Sequence, residues 1–261
     1  MTDRRVQETD ATDPGWVPEG VLNFRDLGGL PVVGGGRVRR GRLFRSATPQ
    51  LMTEGDLEWL RSRIGLRTVI DLRFAKESAA EGCGLLADSD IAVVNIPFRV
   101  PKPADLSTPV AEQAPAQISE VLGPFYVGMV ELSAERIARA VHLLVDDGMP
   151  ALFHCAAGKD RTGILAALLL STVGVPDDAV VADYVRTNES LDRMMAQLRS
   201  LDFYADRVHL QEPQRNTVDG GVMQGFLDGL RRTHGSPREY LLGAGVTEAE
   251  LAVLRDDLVE R

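Results

Sequence analysis

Residues 153–163 read Phe153-His154-Cys155-Ala156-Ala157-Gly158-Lys159-Asp160-Arg161-Thr162-Gly163. The short apolar run 151–154 precedes this stretch. A strongly apolar run, 163–175, follows it. The first has the length of a buried strand and the second that of a buried helix. Between them lie three consecutive charges, Lys159-Asp160-Arg161, which a purely structural connection would not need. Cys155 and Arg161 stand six residues apart. Lysine occurs only at 76, 102 and 159, so 29 − 3 = 26 of the 261 residues are arginine. Any cysteine therefore meets this spacing roughly one time in ten. The other cysteine, Cys83, has Ser89 at that distance. The weight comes from the context of strand, glycine-containing loop and helix.

A loop of this length can curl until the N–H groups of Ala156, Ala157, Gly158 and Lys159 point inward. Such a nest, set on a helix N-terminus, binds anions. Gly158 permits a backbone conformation closed to other residues and a close approach to a ligand. Cys155 stands at the base of the cradle, where an electropositive setting favours thiolate, the nucleophilic form. Thr162 is placed to donate a hydrogen bond to that sulfur. Arg161 offers a planar fork matched to two phosphate oxygens. A nucleophile, an oxyanion cradle and a guanidinium clamp meet the needs of phosphoryl transfer to cysteine. A nucleotide-binding Walker loop fails twice, at Phe153 and at Asp160. A zinc site lacks a second ligand pair.

Outward from this centre, strands alternate with helices, the pattern of an α/β domain with helices on both faces of its sheet. Residues 21–44 read as a hairpin around Gly34-Gly35-Gly36. Residues 68–74 and 91–98 read as buried parallel strands. Helical spacing covers 51–64, with Gly65 at its C-cap, then 118–145, broken near Ser133, and 161–173. It returns at 176–186, 191–201, 218–234 and 247–258, the last opened by a Thr247–Glu250 capping box. Residues 100–117 hold four prolines and read as a long loop. Residues 1–20 read as a flexible tail, and 21–261 as one domain.

The formal charge is −9, with 44% hydrophobic residues. That balance excludes a general nucleic-acid binder, which needs a basic footprint. Residues 21–47 run against it, with six arginines (Arg25, Arg37, Arg39, Arg40, Arg42, Arg45) and one acid, Asp26. They are expected to place positive charge beside the site. Two cysteines make no disulfide framework. Residues 1–20 lack the apolar core of a signal peptide, and 163–175 is too short to span a bilayer. The expectation is a cytoplasmic protein without stable membrane insertion.

The run HCAAGKDRTG at 154–163 resembles the signature loop of protein tyrosine phosphatases, in particular their bacterial tyrosine/lipid branch. NFRDLGG at 23–29, GRLFRSA at 41–47 and DLR at 71–73 fit the same branch, in the same order. The resemblance implies a cysteine-based phosphatase fold, with a central, mostly parallel sheet flanked by helices. It implies no metal or other cofactor, and a covalent phosphocysteine. Cys155 would be the nucleophile, Arg161 the clamp and Asp160 the general acid, with Asp71 as runner-up for the acid or as a structural carboxylate. His154 would support the loop. Lys159 suggests phosphoinositides beside phosphotyrosine proteins as substrates, with phosphoserine and phosphothreonine as further ones. Related enzymes carry a helical lid. Candidates here lie within 187–235, at 191–201 and 218–230, with Met194, Met195, Phe203 and Met223 as contacts. The Pro-rich loop 100–117 is a second candidate. Secretion without a signal peptide occurs in this branch.

Overall fold

Strands β4 (Thr68–Asp71) and β6 (Ala151–His154) are buried along their whole length, as is β3 (Leu43–Ser46). Apolar side chains on both faces leave such strands no stable place except the middle of a sheet covered on both sides. In the computed structural model, which describes residues 18–101, 118–208 and 217–261, that is where they lie. The five-stranded sheet has the order β1-β3-β6-β4-β5, with β1 at Arg25–Asp26 and β5 at Ala92–Asn95. All neighbours are parallel except β1 and β3. β6 is central, so the chain leaving it emerges in the crevice where ligands of parallel sheets bind.

Parallel neighbours require crossover connections, and helices supply them. In chain order these are α1 (Glu54–Trp59), α2 (Ala75–Glu81), α3 (Ile118–Leu132), α4 (Ala134–Leu143), α5 (Asp160–Val173) and α6 (Asp177–Val185). Then follow α7 (Leu191–Arg199), α8 (Asp202–Val208), α9 (Gly220–His234), α10 (Pro237–Gly243) and α11 (Glu248–Leu258). α5 is the axis of the core. Every residue from Thr162 to Leu170 is buried, and Gly174 caps it in the left-handed conformation. α3 and α9 cross closely because Gly123 meets Gly225. A Cβ on Gly123 would lie 2.9 Å from the Gly225 backbone.

Several sequence expectations need adjustment. β5 is parallel to β4 but is a half-exposed edge strand, since no further strand covers it. The hairpin forms only in pieces. Arg25–Asp26 pairs with β3, while β2 (Arg37–Val38) turns away to pair with the C-terminal β7 (Val259–Glu260). The helix expected at 51–64 starts at Glu54, behind a Thr53 capping box, and Leu60–Ile64 finishes it as a wider turn. α2, α8 and α10 are short helices that apolar spacing did not signal. The tail's last residues are anchored, because the N–H groups of Glu19 and Gly20 both donate to the Asp56 carboxylate. Residues 1–17, residues 102–117 of the expected Pro-rich loop and residues 209–216 within the expected lid region lie outside the described residues. Among the described residues, no helix is long and apolar enough to cross a membrane.

Leu168→Ala tests α5 as the axis of the fold. Leu168 is wholly buried. The substitution is expected to cost about 2–5 kcal/mol, read as a lower denaturant midpoint at unchanged slope.

Candidate active site

A nest needs N–H groups facing in, so the matching carbonyls must find partners facing out. Each does. The Cys155 carbonyl faces His154 Nδ1 at 3.1 Å, and the Ala156 carbonyl accepts from the Thr48 N–H at 2.9 Å. Asn23 Nδ2 donates to the carbonyls of Ala157 (3.2 Å) and Gly158 (3.1 Å). Arg45 Nη2 donates to the same Gly158 carbonyl at 2.7 Å. Among the described residues, the N–H groups of Ala156, Ala157, Gly158 and Lys159 donate to nothing. Gly158 has φ +64°, and a Cβ there would lie 2.2 Å from the Ser46 carbonyl oxygen. The loop is thus pressed against β3 at a point where only glycine fits.

The donors behind the loop are themselves fixed. Arg25 reaches Asp183 through Nε (2.6 Å), and Arg45 reaches the other Asp183 oxygen through Nη1 (2.6 Å). Arg25 also holds the side-chain and main-chain oxygens of Asn23. All four residues are buried. Burial opposes the Asp183 charge, but Arg45 and Arg25 outweigh it and hold the carboxyl below its usual range. Burial and the neighbouring Arg45 charge lower Arg25 to about 10. This is what the 23–29 and 41–47 motifs do. Asp183, which completes the cluster, gave no signal in sequence, because one acid on a short helix looks like any solvated charge.

Arg161 leaves the first turn of α5 and meets Glu77 on α2, with Nη1 at 2.6 Å and Nη2 at 3.3 Å from its oxygens. Nη1 also donates to the Leu72 carbonyl at 3.4 Å. Of the five guanidinium protons, the Nε proton and one Nη2 proton remain unengaged among the described residues. They form the adjacent edge, a two-donor fork. Burial opposes the charge of Arg161, but its electrostatic interaction with Cys155 and its hydrogen bonds and attraction to Glu77 raise its pKa above the ordinary value. Its guanidinium carbon lies 4.9 Å from the centre of the Phe74 ring. Glu77 in turn accepts from the Phe74 N–H (2.7 Å) and the Tyr204 hydroxyl (3.0 Å). Glu77 and Tyr204 were not identified from the sequence.

The two candidate acids occupy opposite environments. Asp71 is buried, and Arg73 grips both of its oxygens, with Nε at 2.9 and 3.1 Å and Nη2 at 2.8 Å. Burial works against its charge, yet the partners prevail and its pKa lies below the ordinary value. The Asp160 side chain is 40% exposed at the loop's mouth. Tyr126 donates a short hydrogen bond to it, and Tyr126 also touches the Tyr184 hydroxyl at 2.9 Å. Burial and the Asp160 charge push the Tyr126 pKa well up, so that phenol remains a donor. Lys159 Nζ lies 3.8 Å from Asp160. The Thr162 hydroxyl is buried without a hydrogen-bond partner among the described residues, so the bond expected from it to sulfur is not formed.

α7 and α8 lie against the loop. Met194, Met195, Leu198, Leu201 and Tyr204 form one cluster with Leu22, Ala47 and Ala156, and Phe203 packs on it. Met223 is elsewhere. It lies in the main core, where α9 packs on α3, so 218–230 is a core helix. The positive patch expected from 21–47 is corrected as well. Arg45 reaches the loop directly and Arg25 through Asn23, but both are buried, and Asp183 offsets one of their two charges. Arg42 stands before β3, at the opposite end of the sheet, near Asp257, and Arg39 binds carbonyls of Asp256 and Val259. Both cysteines are free thiols. Among the described residues, no three histidines, cysteines or carboxylates are grouped to hold a metal ion.

A profile of the tyrosine phosphatase family matches residues 17–260. The chain belongs to the tyrosine phosphatase family. This is a family of hydrolases. A Nostoc commune protein named tyrosine-protein phosphatase is 30% identical over 81% of this chain and 72% of its own length. A Mycobacterium tuberculosis protein named triple specificity protein phosphatase PtpB is 28% identical over 92% of this chain and 97% of its own. A Cupriavidus necator protein, named provisionally as a tyrosine-protein phosphatase, is 38% identical over 65% of this chain. The matched stretch spans 61% of that protein's length. The crystal structure of Pseudomonas aeruginosa TpbA is 19% identical and aligns with 71% of this chain and 86% of its own, with a TM-score of 0.29.

Two predictions follow from the buried charges of this tyrosine phosphatase family member. Asp183→Asn strands two buried guanidiniums, and its expected cost is about 3–5 kcal/mol in denaturant unfolding. His154 is buried, and burial lowers its pKa from 6.5 to about 4 against the opposing pull of Asp71. The unfolded imidazole therefore takes up a proton near pH 6.5, while the folded one stays neutral until about pH 4. Stability is expected to fall by about 3 kcal/mol as pH drops through that window. His154→Gln should flatten the dependence of the denaturant midpoint on pH between 7 and 4.5.

Proposed function

We propose that this chain is a cysteine-dependent protein phosphatase that hydrolyses phosphotyrosine through a phosphocysteine intermediate. The observation that carries the reading is the loop itself. Its carbonyls are tied outward, its N–H groups are left free, Cys155 stands at its base and an Arg161 fork is open beside it. Four free N–H groups and a guanidinium fork suit the equatorial oxygens of a transferring phosphoryl group.

The Cys155 thiolate attacks phosphorus in line with the tyrosyl oxygen. The P–O bond breaks as the S–P bond forms, and the departing phenoxide takes a proton from Asp160. Water then attacks the phosphocysteine, giving its proton to Asp160 and releasing inorganic phosphate and thiolate. Asp160 supports this double role because it is solvent-accessible and adjoins the loop, whereas Asp71 is locked in its bidentate pair with Arg73. Tyr126 steadies the Asp160 carboxylate between the two steps. His154 orders the loop through the Cys155 carbonyl, with the Asp71 carboxylate 3.8 Å from its Nε2. Glu77 aims the free edge of Arg161 at phosphate. Phosphoserine, phosphothreonine and phosphoinositides belong to the same reading as further substrates. Lys159 at the loop's rim and the name of the Mycobacterium tuberculosis relative support that breadth.

The test uses 4-nitrophenyl phosphate and alkyl or aryl phosphates of graded leaving-group acidity. Cys155→Ser is expected to abolish turnover while retaining phosphate-analogue binding; retained turnover would refute the mechanism. Asp160→Asn is expected to lose rate by about 10²–10⁴ for poor leaving groups and much less for nitrophenolate. A uniform loss would instead mark Asp160 as a loop-shaping residue.

A further inference from the structure

Phe74 has two faces of interest. One lies near Arg161. The ring also lines a groove of about 510 Å³, together with Pro97, Phe98, Arg99, Val100, Leu132 and Arg136. Among the described residues, seven large apolar side chains are exposed, and three of them, Phe74 (37%), Val100 (39%) and Leu132 (45%), line this groove. Such clustering marks a contact surface rather than ordinary scatter. Two arginines give the groove its charge. Several exposed arginines of this acidic protein meet carboxylates, as Arg61 meets Asp90, Arg67 meets Asp147 and Arg231 meets Asp177. Arg99 and Arg136 form no ion pair among the described residues, and no carboxylate lines the groove. Their positions are fixed through Ser133. Its hydroxyl accepts from the Arg99 N–H at 2.8 Å, and its carbonyl accepts from the Arg136 N–H at 2.9 Å.

Building on the phosphatase reading, we infer that this groove is a substrate subsite for an acidic, partly apolar segment flanking the phosphotyrosine. Phe74 links the two sites, so the segment begins where the phosphotyrosine ring ends. Because the groove adjoins Phe74, the recognised carboxylate is sought at the positions nearest the phosphotyrosine on either side. The apolar floor favours a peptide over an inositol headgroup. A peptide can bury an apolar side chain on that floor and at the same time present a carboxylate to the guanidiniums.

The experiment compares kcat/KM for phosphotyrosine peptides carrying Glu or Gln at each position from −3 to +3, using the full chain. At one or more positions Glu is expected to give an advantage of roughly 5-fold, the scale of two exposed charge pairs. In the Arg99→Gln/Arg136→Gln double variant that advantage should fall below about 2-fold. The Glu/Gln ratio is taken within one preparation, so a partly unfolded variant does not distort it. Absence of any advantage in the parent protein, or its survival in the double variant, would overturn the inference. Dioctanoyl phosphatidylinositol mono- and bisphosphates form a second arm. If the double variant loses discrimination only between these lipids, the peptide assignment is wrong. Turnover of 4-nitrophenyl phosphate separates the layers. Turnover without peptide discrimination removes the groove alone, and no turnover removes the phosphatase reading beneath it.

Discussion

The outward bonding of four carbonyls decides the rest of the site. A chain that turns its N–H groups toward an anion must turn its C=O groups somewhere, and in a buried loop they cannot face an apolar wall. Here the partners come from three directions. Thr48 follows β3, Asn23 precedes β1, and Arg45 lies on β3 itself. Gly158 is held so closely against Ser46 that strand and loop behave as one piece. The order β1-β3-β6 in the sheet is therefore more than a topological detail, because it brings the braces beside the loop they support.

The strand–loop–helix unit was legible in sequence because its signals are local. The apolar run of β6, the spacing of Cys155 and Arg161 and the apolar α5 all lie within some two dozen residues. The braces were legible only as recurrent strings without a reason. Their meaning depends on Asp183, which meets Arg25 across 158 positions of sequence. Glu77, Tyr126 and Tyr204 were invisible for the same cause. A single acid or aromatic on a helix says nothing of what the fold will bring to it. Exposure was the other failure. The arginines of 21–47 looked like one patch, but the hairpin splits, and β2 carries its share to the C-terminal strand.

Two aspartates of similar standing in sequence acquire different chemistry from their surroundings. Asp71 ends β4 and is clasped by the guanidinium two residues on, so it is a fixed charge. Asp160 opens α5 with one oxygen on Tyr126 and near Lys159, and its side chain is 40% exposed. Environment rather than residue type separates these two carboxylates, the general pattern when paired carboxylates take different tasks.

The burial of α5 has an electrostatic consequence. From Thr162 to Leu170 every residue of the helix is buried, so its peptide dipoles run through an apolar sheath rather than an ionic solution. Mobile salt ions cannot line up along its flanks. The helix's share of the attraction for an anion at the loop should thus weaken less with added salt than a share exerted by exposed side chains. Any attraction exerted by side chains on the open surface should fade as salt is added. The protein carries two electrostatic layers, an insulated one behind the loop and an exposed one that answers to its medium.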